Sequence, residues 1–148
     1  MKSPEFLALL KSDLERGRTL EEKIGLALDR ILTWRPYFWI GIYKVEGQKA
    51  KRVNFRGPLP PCHEFEFGKG NVGTAAMKGI KKVISDVSTD PTYSMCFIDT
   101  KSELVLPIFL GNKVVGVLDV ESDEKDFFTL EDEEILAKAC SEVASLLK

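Results

Sequence analysis

The chain has 148 residues, of which 44% are hydrophobic and 30% are charged, a composition typical of a globular protein. A net charge of −2 without a basic stripe argues against a nucleic-acid partner, and no apolar run approaches the roughly 18 residues of a membrane span. This length predicts a single domain over residues 1–148. The N-terminal residues lack the pattern of a signal peptide, so we expect a cytoplasmic protein whose cysteines rest as thiols.

Two amphipathic helices are predicted at the start of the chain. The first begins with Ser3 as N-cap and Pro4 at the first helical position, and it ends at Gly17. The second begins with a capping-box pattern, Thr19 to Glu22, and Pro36 stops it. Aromatic and β-branched residues then predict a strand over 37–45 and another near 51–55. A proline-rich run follows over 57–61 and leads to Cys62, and it excludes regular structure there.

The remaining residues predict four more strands and two more helices. The strands are expected over 63–67, 82–86, 103–110 and 113–121, with a short helix over 72–78 and a last helix from Thr129 to about Lys148. Gly111-Asn112 is typical of a two-residue hairpin turn. The order of elements predicts an α+β fold in which a central antiparallel sheet is flanked by N- and C-terminal helices.

The glycines Gly68, Gly70 and Gly73 match the G-x-G-x-x-G pattern of dinucleotide-binding sites. The strand before them is charged and alternating, unlike a buried parallel strand, and the helix after them is short. Strands and helices also do not alternate around the motif. We therefore expect a tight turn into a helix rather than a nucleotide site.

The three cysteines, Cys62, Cys96 and Cys140, lack the paired spacing of a zinc site. Cys140 shares one helical face with apolar residues and is expected in the core. Cys96 falls in the polar loop over 87–102, where a thiol is accessible. The lone histidine, His63, follows Cys62 and either favours its thiolate or is an exposed residue without a role.

Three acids interrupt apolar strands, which is costly unless they are solvated, paired or bound to a ligand. Asp119 and Glu121 are two residues apart and therefore share one face of their strand. A strict two-residue Gly-Asn turn pairs Glu103 with Val120 and places Glu103 on the opposite face. A three-residue turn ending at Lys113 pairs Glu103 with Glu121 instead, and all three acids converge. The turn chemistry slightly favours the first register, whereas a shared site requires the second.

Taken together, these residues resemble the free methionine-(R)-sulfoxide reductases, a family built on the GAF fold. The resemblance runs from about Tyr37 to Asp132 and joins six segments in order. They are W-x-G-x-Y from Trp39, the loop ending in Cys62, G-x-G-x-x-G-T-A from Gly68, Cys96 seven residues before the acid of S-E-L-V-L-P, G-V-L-D-V-E-S from Gly116, and F-T-x-E-D from Phe128.

The resemblance implies that a cysteine thiolate reduces free L-methionine (R)-S-oxide to L-methionine without a cofactor or metal. Cys96 matches the nucleophile, and Cys62 matches the resolving cysteine that forms a disulfide with it, which a thioredoxin-type dithiol reopens. The sulfoxide oxygen must also gain a proton, and we expect a carboxylic acid with a raised pKa to donate it, namely Glu103, the acid nearest the loop in sequence, in preference to Asp119. The residues implied to hold the substrate are Glu103, Asp119 and Glu121, with Trp39 and Tyr43 lining the pocket. The implied fold is a six-stranded antiparallel GAF sheet between helices, and a homodimer is expected.

Three positions depart from the family pattern. Val72 replaces a cysteine within the glycine motif, so a relay through a middle thiol is absent, whereas a direct route from Cys96 to Cys62 remains. Glu121 replaces the usual aspartate and keeps the charge on a longer side chain, and Phe97 replaces a commonly acidic residue. The alternative is a non-catalytic GAF module that binds a small ligand and signals its presence to a partner protein.

Overall fold

The computed structural model describes residues 2–93, 97 and 99–148, so Cys96 lies outside the described residues. The helices are α1 (Ser3–Arg16), α2 (Leu20–Trp34), α3 (Gly70–Lys78) and α4 (Leu130–Val143). The strands are β1 (Trp39–Glu46), β2 (Lys49–Arg56), β3 (Glu64–Glu66), β4 (Lys82–Ile84), β5 (Ser102–Leu110) and β6 (Lys113–Ser122). Short 3₁₀ turns cover Val87–Thr89 and Ala144–Leu147, so the last helix ends earlier than the expected Lys148.

The six strands form one sheet in the order β3-β2-β1-β6-β5-β4, and every neighbouring pair is antiparallel. This arrangement confirms the predicted α+β fold with a central antiparallel sheet and helices at both ends of the chain. β1 and β6 lie at its centre, and β5 is paired on both sides only near its start, where β4 meets it. The start of β5 and the end of β6 are therefore each flanked by a paired strand on both sides.

One face of the sheet carries the main hydrophobic core. Helices α1, α2 and α4 supply it with Phe6, Leu28 and Leu136, which pack with Ile40 and Leu118 of the sheet. Each such fully buried side chain contributes about 1.5–3 kcal/mol relative to an exposed one. Cys140 lies in the same cluster with 6% of its surface exposed, as predicted.

The opposite face holds a smaller cluster beneath α3. Its buried members include Trp39, Tyr43, Val105 and Val117 from the sheet and Val72, Ala75 and Ala76 from the helix. The glycine motif allows this helix to pack closely against the neighbouring backbone. Gly68 and Gly70 have φ of +84° and +65°, and a Cβ at Gly73 would lie 2.2 Å from the Glu66 carbonyl oxygen. The motif is thus the tight turn into a helix that the sequence predicted, with a close backbone approach at Gly73.

The predicted helix caps are largely present. Thr129 and Asp132 form a full capping box, while Thr19 accepts from the Glu22 N–H at 3.1 Å. The expectation that Ser3 is an N-cap was wrong. The helix already includes Ser3, Lys2 is the cap without a side-chain bond, and the Ser3 hydroxyl instead accepts from Lys138 at 3.3 Å. Over the described residues, none of the helices is long and apolar enough to cross a membrane.

Candidate functional site

A β-bulge in the β5–β6 hairpin determines where Glu103 lies. Leu110 pairs with Lys113, so the two-residue Gly111-Asn112 turn is confirmed. The register then shifts by one residue between Ile108 and Phe109, because Val115 has no partner in β5. Beyond this bulge Glu103 pairs with Glu121. The pairing of Glu103 with Val120 that the turn alone favours was therefore wrong.

The bulge brings the three predicted acids onto one face of the sheet. One carboxylate oxygen each from Glu103, Asp119 and Glu121 lies within 4.8 Å of the others. The three residues are only 4%, 4% and 3% exposed. Among the described residues, these are the carboxylates that converge closely enough to hold a cation.

Burial and mutual repulsion keep protons on this cluster. Burial, together with the charges of Glu103 and Glu121, raises the pKa of Asp119 well above its ordinary value. Burial and the Glu103 charge raise the pKa of Glu121 to about 8, although hydroxyl donors oppose the rise. Burial also raises the pKa of Glu103, with hydrogen bonds from Asp119 and Asn71 opposing it. At neutral pH the cluster therefore carries less than its full negative charge.

Asp119 has an unsatisfied oxygen in this enclosed space. Its Oδ1 is buried and has no hydrogen-bond partner within the described part of the chain. A buried acceptor without a donor costs about 1–3 kcal/mol. Either a proton shared with a neighbouring carboxyl group or a cation that enters the cluster would satisfy it.

A polar network that the sequence did not reveal surrounds Glu103. The buried amide of Asn71, at the start of α3, donates to Glu103 Oε1 and to Asp90 Oδ2, both at 2.8 Å. The Lys82 ammonium of β4 donates to Asn71 Oδ1 at 2.5 Å. The Thr92 hydroxyl lies 2.8 Å from the same oxygen. The sequence signal for this network is Asn71 itself, because asparagine has a poor helix propensity and yet lies within α3.

Residues on both sides of Cys96 contact Glu121 or the aromatic side chains beside it. Thr100 and Tyr93 both donate their hydroxyl hydrogens to Glu121 Oε1, at 2.9 and 3.2 Å. The Phe97 ring lies 5.7 Å from the Phe38 and Trp39 rings, centroid to centroid. These contacts place Tyr93 and Thr100 against the acid cluster and Phe97 against the neighbouring aromatic side chains.

The predicted aromatic residues lie next to the acids. Trp39 pairs with Glu121 across β1 and β6, and its ring lies over Gly41, where a Cβ would be 2.4 Å from an indole carbon. Its Nε1 donates to the Pro58 carbonyl at 3.1 Å, and its ring stacks on Phe55. Tyr43 is 2% exposed in the same cluster. Burial and the Asp119 charge raise the pKa of Tyr43.

The cysteines divide into different environments. Cys62 is half-buried, and its carbonyl accepts from Arg52 Nη1 at 2.9 Å, close to the Pro58 segment that holds Trp39. His63 is exposed, so the structure leaves both interpretations of it open. Cys140 is a free thiol, and burial raises its pKa to about 12. A thiol in that state is a poor nucleophile at neutral pH.

Residues 17–148 match the model of a protein family described as GAF domain. Protein YtsP of Bacillus subtilis is 38% identical over 102 residues, which cover 68% of this chain and 62% of YtsP. This chain therefore spans less than two thirds of that relative. The free methionine-R-sulfoxide reductase of Escherichia coli is 29% identical over 143 residues, which cover 97% of this chain and 84% of that protein.

The fold is similar to that of a solved enzyme. The free methionine-R-sulfoxide reductase of Neisseria meningitidis, determined in complex with its substrate, superimposes with a TM-score of 0.87 and is 26% identical. The match covers 97% of this chain and 86% of the Neisseria chain. The similarity in fold therefore extends over nearly the whole chain.

Proposed function

This chain belongs to the GAF domain family, and we propose that it is an oxidoreductase that reduces free methionine-(R)-sulfoxide to methionine with its own cysteine thiols. The similarity to reductases of that name in Escherichia coli and Neisseria meningitidis supports this activity. The observation that carries the proposal is the buried cluster of three carboxylates with one unsatisfied oxygen.

The cluster suits the amine of a free amino acid. An ammonium group supplies three donors and a positive charge, and it would satisfy Asp119 Oδ1 while relieving repulsion among the acids. A peptide-bound or acetylated methionine sulfoxide lacks that charge. Because the acids are almost fully buried, substrate access must displace side chains such as Tyr93 that cover them. We therefore propose that Glu103, Asp119 and Glu121 select the free amino acid.

Trp39 and Tyr43 supply the apolar part of the proposed pocket. A sulfur–aromatic contact with the Trp39 ring contributes on the order of 0.3–1.5 kcal/mol. The hydrogen bond to Pro58 and the stacking on Phe55 fix the orientation of that ring before substrate binds. Preorganisation of this kind reduces the entropy lost on binding.

Cys96 is the proposed nucleophile. Its thiolate attacks the sulfoxide sulfur, and a carboxyl group of the cluster, either Glu103 or Asp119, donates a proton to the oxygen. The oxygen is transferred to the cysteine, so methionine leaves with two electrons gained and Cys96 becomes a sulfenic acid. Phe97, the next residue in the chain, packs on Trp39, which supports an approach of the thiolate to a substrate held there.

Cys62 is the proposed resolving residue. Its thiol condenses with the sulfenic acid to form a Cys62–Cys96 disulfide and one water molecule, and a thioredoxin-type dithiol then reopens the disulfide by exchange. The position of Cys62 beyond the Pro58 segment, which bonds to Trp39, supports this role. We also propose that the protein acts as a homodimer in the reducing cytoplasm.

The proposal is tested with two substrates and one variant. The protein with excess dithiol should form methionine from free L-methionine-(R)-sulfoxide and not from its N-acetyl derivative, and Cys96→Ser should abolish the reaction. Without added dithiol, one equivalent of sulfoxide should remove two hydrogens from the mass of the protein. Binding of the sulfoxide without formation of methionine and without this mass change would instead indicate a non-catalytic sensor.

A further inference from the structure

The side chain of Asn71 joins four parts of the chain at the acid cluster. It extends from the start of α3, is 3% exposed, and contacts Lys82 of β4, Glu103 of β5, and Asp90 and Thr92 in the loop. The Lys82 ammonium can only donate, so the Asn71 atom 2.5 Å from it must be the amide oxygen. The neighbours themselves thus determine the orientation of the amide.

This orientation leaves the Asn71 nitrogen facing two acids. Its two hydrogens are matched by two acceptors, Glu103 Oε1 and Asp90 Oδ2, each at 2.8 Å. An amide hydrogen requires an oxygen that accepts, and a hydrogen bond to a charged group is worth more than one to a neutral group. The Asn71 amide therefore stabilises the ionised form of Glu103 in preference to its protonated form.

We propose that Asn71 is a positioning residue that keeps Glu103 ionised and oriented toward the substrate amine, so that the proton shared within the cluster remains on Asp119 and Glu121. The inference rests on the proposed function, because it concerns the same site, and of the two candidate proton donors it selects Asp119 over Glu103. Asn71 itself touches neither the sulfur chemistry nor the amine. It acts through Glu103.

Burial and several charged groups also act on Glu103. Burial raises the pKa of Glu103, and the Asp90 charge adds to the rise, whereas bonds from Asp119 and Asn71 and the Lys82 charge oppose it. The pKa of Asp119 is raised well above its ordinary value. Within the described part of the chain, the titratable groups that face Glu103 are Asp119 and Glu121 on β6, Tyr43 on β1, Lys82 on β4, and Asp90 and Tyr93 in the loop. The Asn71 amide is a neutral group that donates to Glu103 and contacts both Lys82 and Asp90.

The test compares Asn71→Leu and Asn71→Asp with the wild-type protein. Leucine has a similar shape without donors, and aspartate places an acceptor against Glu103. In both variants the acidic limb of the pH profile of kcat/KM should move up by about one to two pH units, because Glu103 loses its donor. At pH 7 the KM for free methionine-(R)-sulfoxide should rise about ten-fold, whereas kcat should change by less than about three-fold.

Thr74→Val is the matched control, because its buried hydroxyl in the same helix bonds only to the Gly70 carbonyl, at 2.6 Å, among the described contacts. This variant should leave the pH profile unchanged. Lys82→Met removes the cation that orients the Asn71 amide, and Lys82 is less buried than Asn71. This variant should also move the acidic limb of the pH profile to higher pH. Lys82→Met therefore tests the role of Asn71 even if the Asn71 variants do not fold.

Folded variants with a wild-type KM and pH profile would overturn the role of Asn71 alone, provided that the wild-type protein forms methionine. A loss of kcat at unchanged KM and pH profile would also overturn it, because that result indicates a different role. A wild-type protein that forms no methionine would overturn both this inference and the proposed function.

Discussion

Glu103 lies directly opposite Glu121 in the β5–β6 ladder, an arrangement of like charges that antiparallel sheets normally avoid. Both side chains are almost fully buried, and Asp119 lies beside them. The fold therefore maintains an unfavourable electrostatic arrangement where the start of β5 meets the end of β6. Such strain is typical of sites that bind a complementary ligand.

The first prediction concerns stability and pH. The pKa of Glu121 is about 8 in the folded protein, against an ordinary value of 4.5. The folded state therefore holds a proton that the unfolded state releases, so the stability from this group is present below pH 4.5 and is lost as the pH rises to 8. Glutamine resembles the protonated form. Compared with the wild type, Glu121→Gln should gain stability with rising pH, by up to about 1.4 kcal/mol per pH unit.

Urea denaturation at pH 5 and pH 8 measures this difference. Glu46→Gln, at an exposed strand end, is the control and should show no such trend. If the difference between Glu121→Gln and wild type is the same at both pH values, the cluster does not hold its protons as described.

The second prediction separates the two loop cysteines. Cys62→Ser should reduce one equivalent of free methionine-(R)-sulfoxide per chain and then stop when thioredoxin is the reductant, because the sulfenic acid has no resolving partner. Quenched-flow measurement of methionine should show a burst of about one equivalent without a steady state. Sustained turnover with thioredoxin would assign resolution to another thiol or to the external reductant.

The third prediction tests how α3 is seated. Gly73→Ala should destabilise the protein by about 1–3 kcal/mol, because the added Cβ would lie 2.2 Å from the Glu66 carbonyl oxygen, a backbone atom that cannot easily move. Gly111→Ala is the control. It has a φ of +65° with no atom within 4 Å of a Cβ, so only backbone strain of about 1 kcal/mol is expected.

The melting temperatures of both variants compare steric crowding at Gly73 with backbone strain at Gly111. Gly73→Ala should also raise the KM for the sulfoxide, since moving α3 away from the sheet moves Asn71 away from Glu103. An unaltered KM combined with a normal melting temperature would contradict the close packing of α3 on β3.

Local patterns were sufficient to predict most of the elements. Capping residues, prolines and alternation gave the order of four helices and six strands, and the Gly111-Asn112 turn was also correct. The partner of Glu103 was not predictable, because a bulge depends on the packing of both strands. Gly116, which follows Val115, is a residue type that often marks a bulge, but it does not determine the register by itself. Register is a property of the folded sheet rather than of one segment.

The sequence also singled out Glu103, Asp119 and Glu121 as candidate site residues, but it did not reveal the residues that surround them. Asn71, Tyr93 and Thr100 are far from Glu103 and Glu121 along the chain or belong to a loop without regular structure. Their roles follow from tertiary contacts between α3, the loop and the sheet. Residue type alone identifies such polar groups poorly, because asparagine, tyrosine and threonine are common in loops and at helix ends.

The burial of Cys140 provides an internal reference for experiments on this protein. An alkylating reagent attacks a thiolate, and this thiol is both enclosed by the helical core and strongly protonated at neutral pH. A carbamidomethyl label at Cys140 should therefore accumulate only when α4 detaches from the sheet. Mass spectrometry of that one peptide would then time the opening of the core, independently of the redox state of the remaining cysteines.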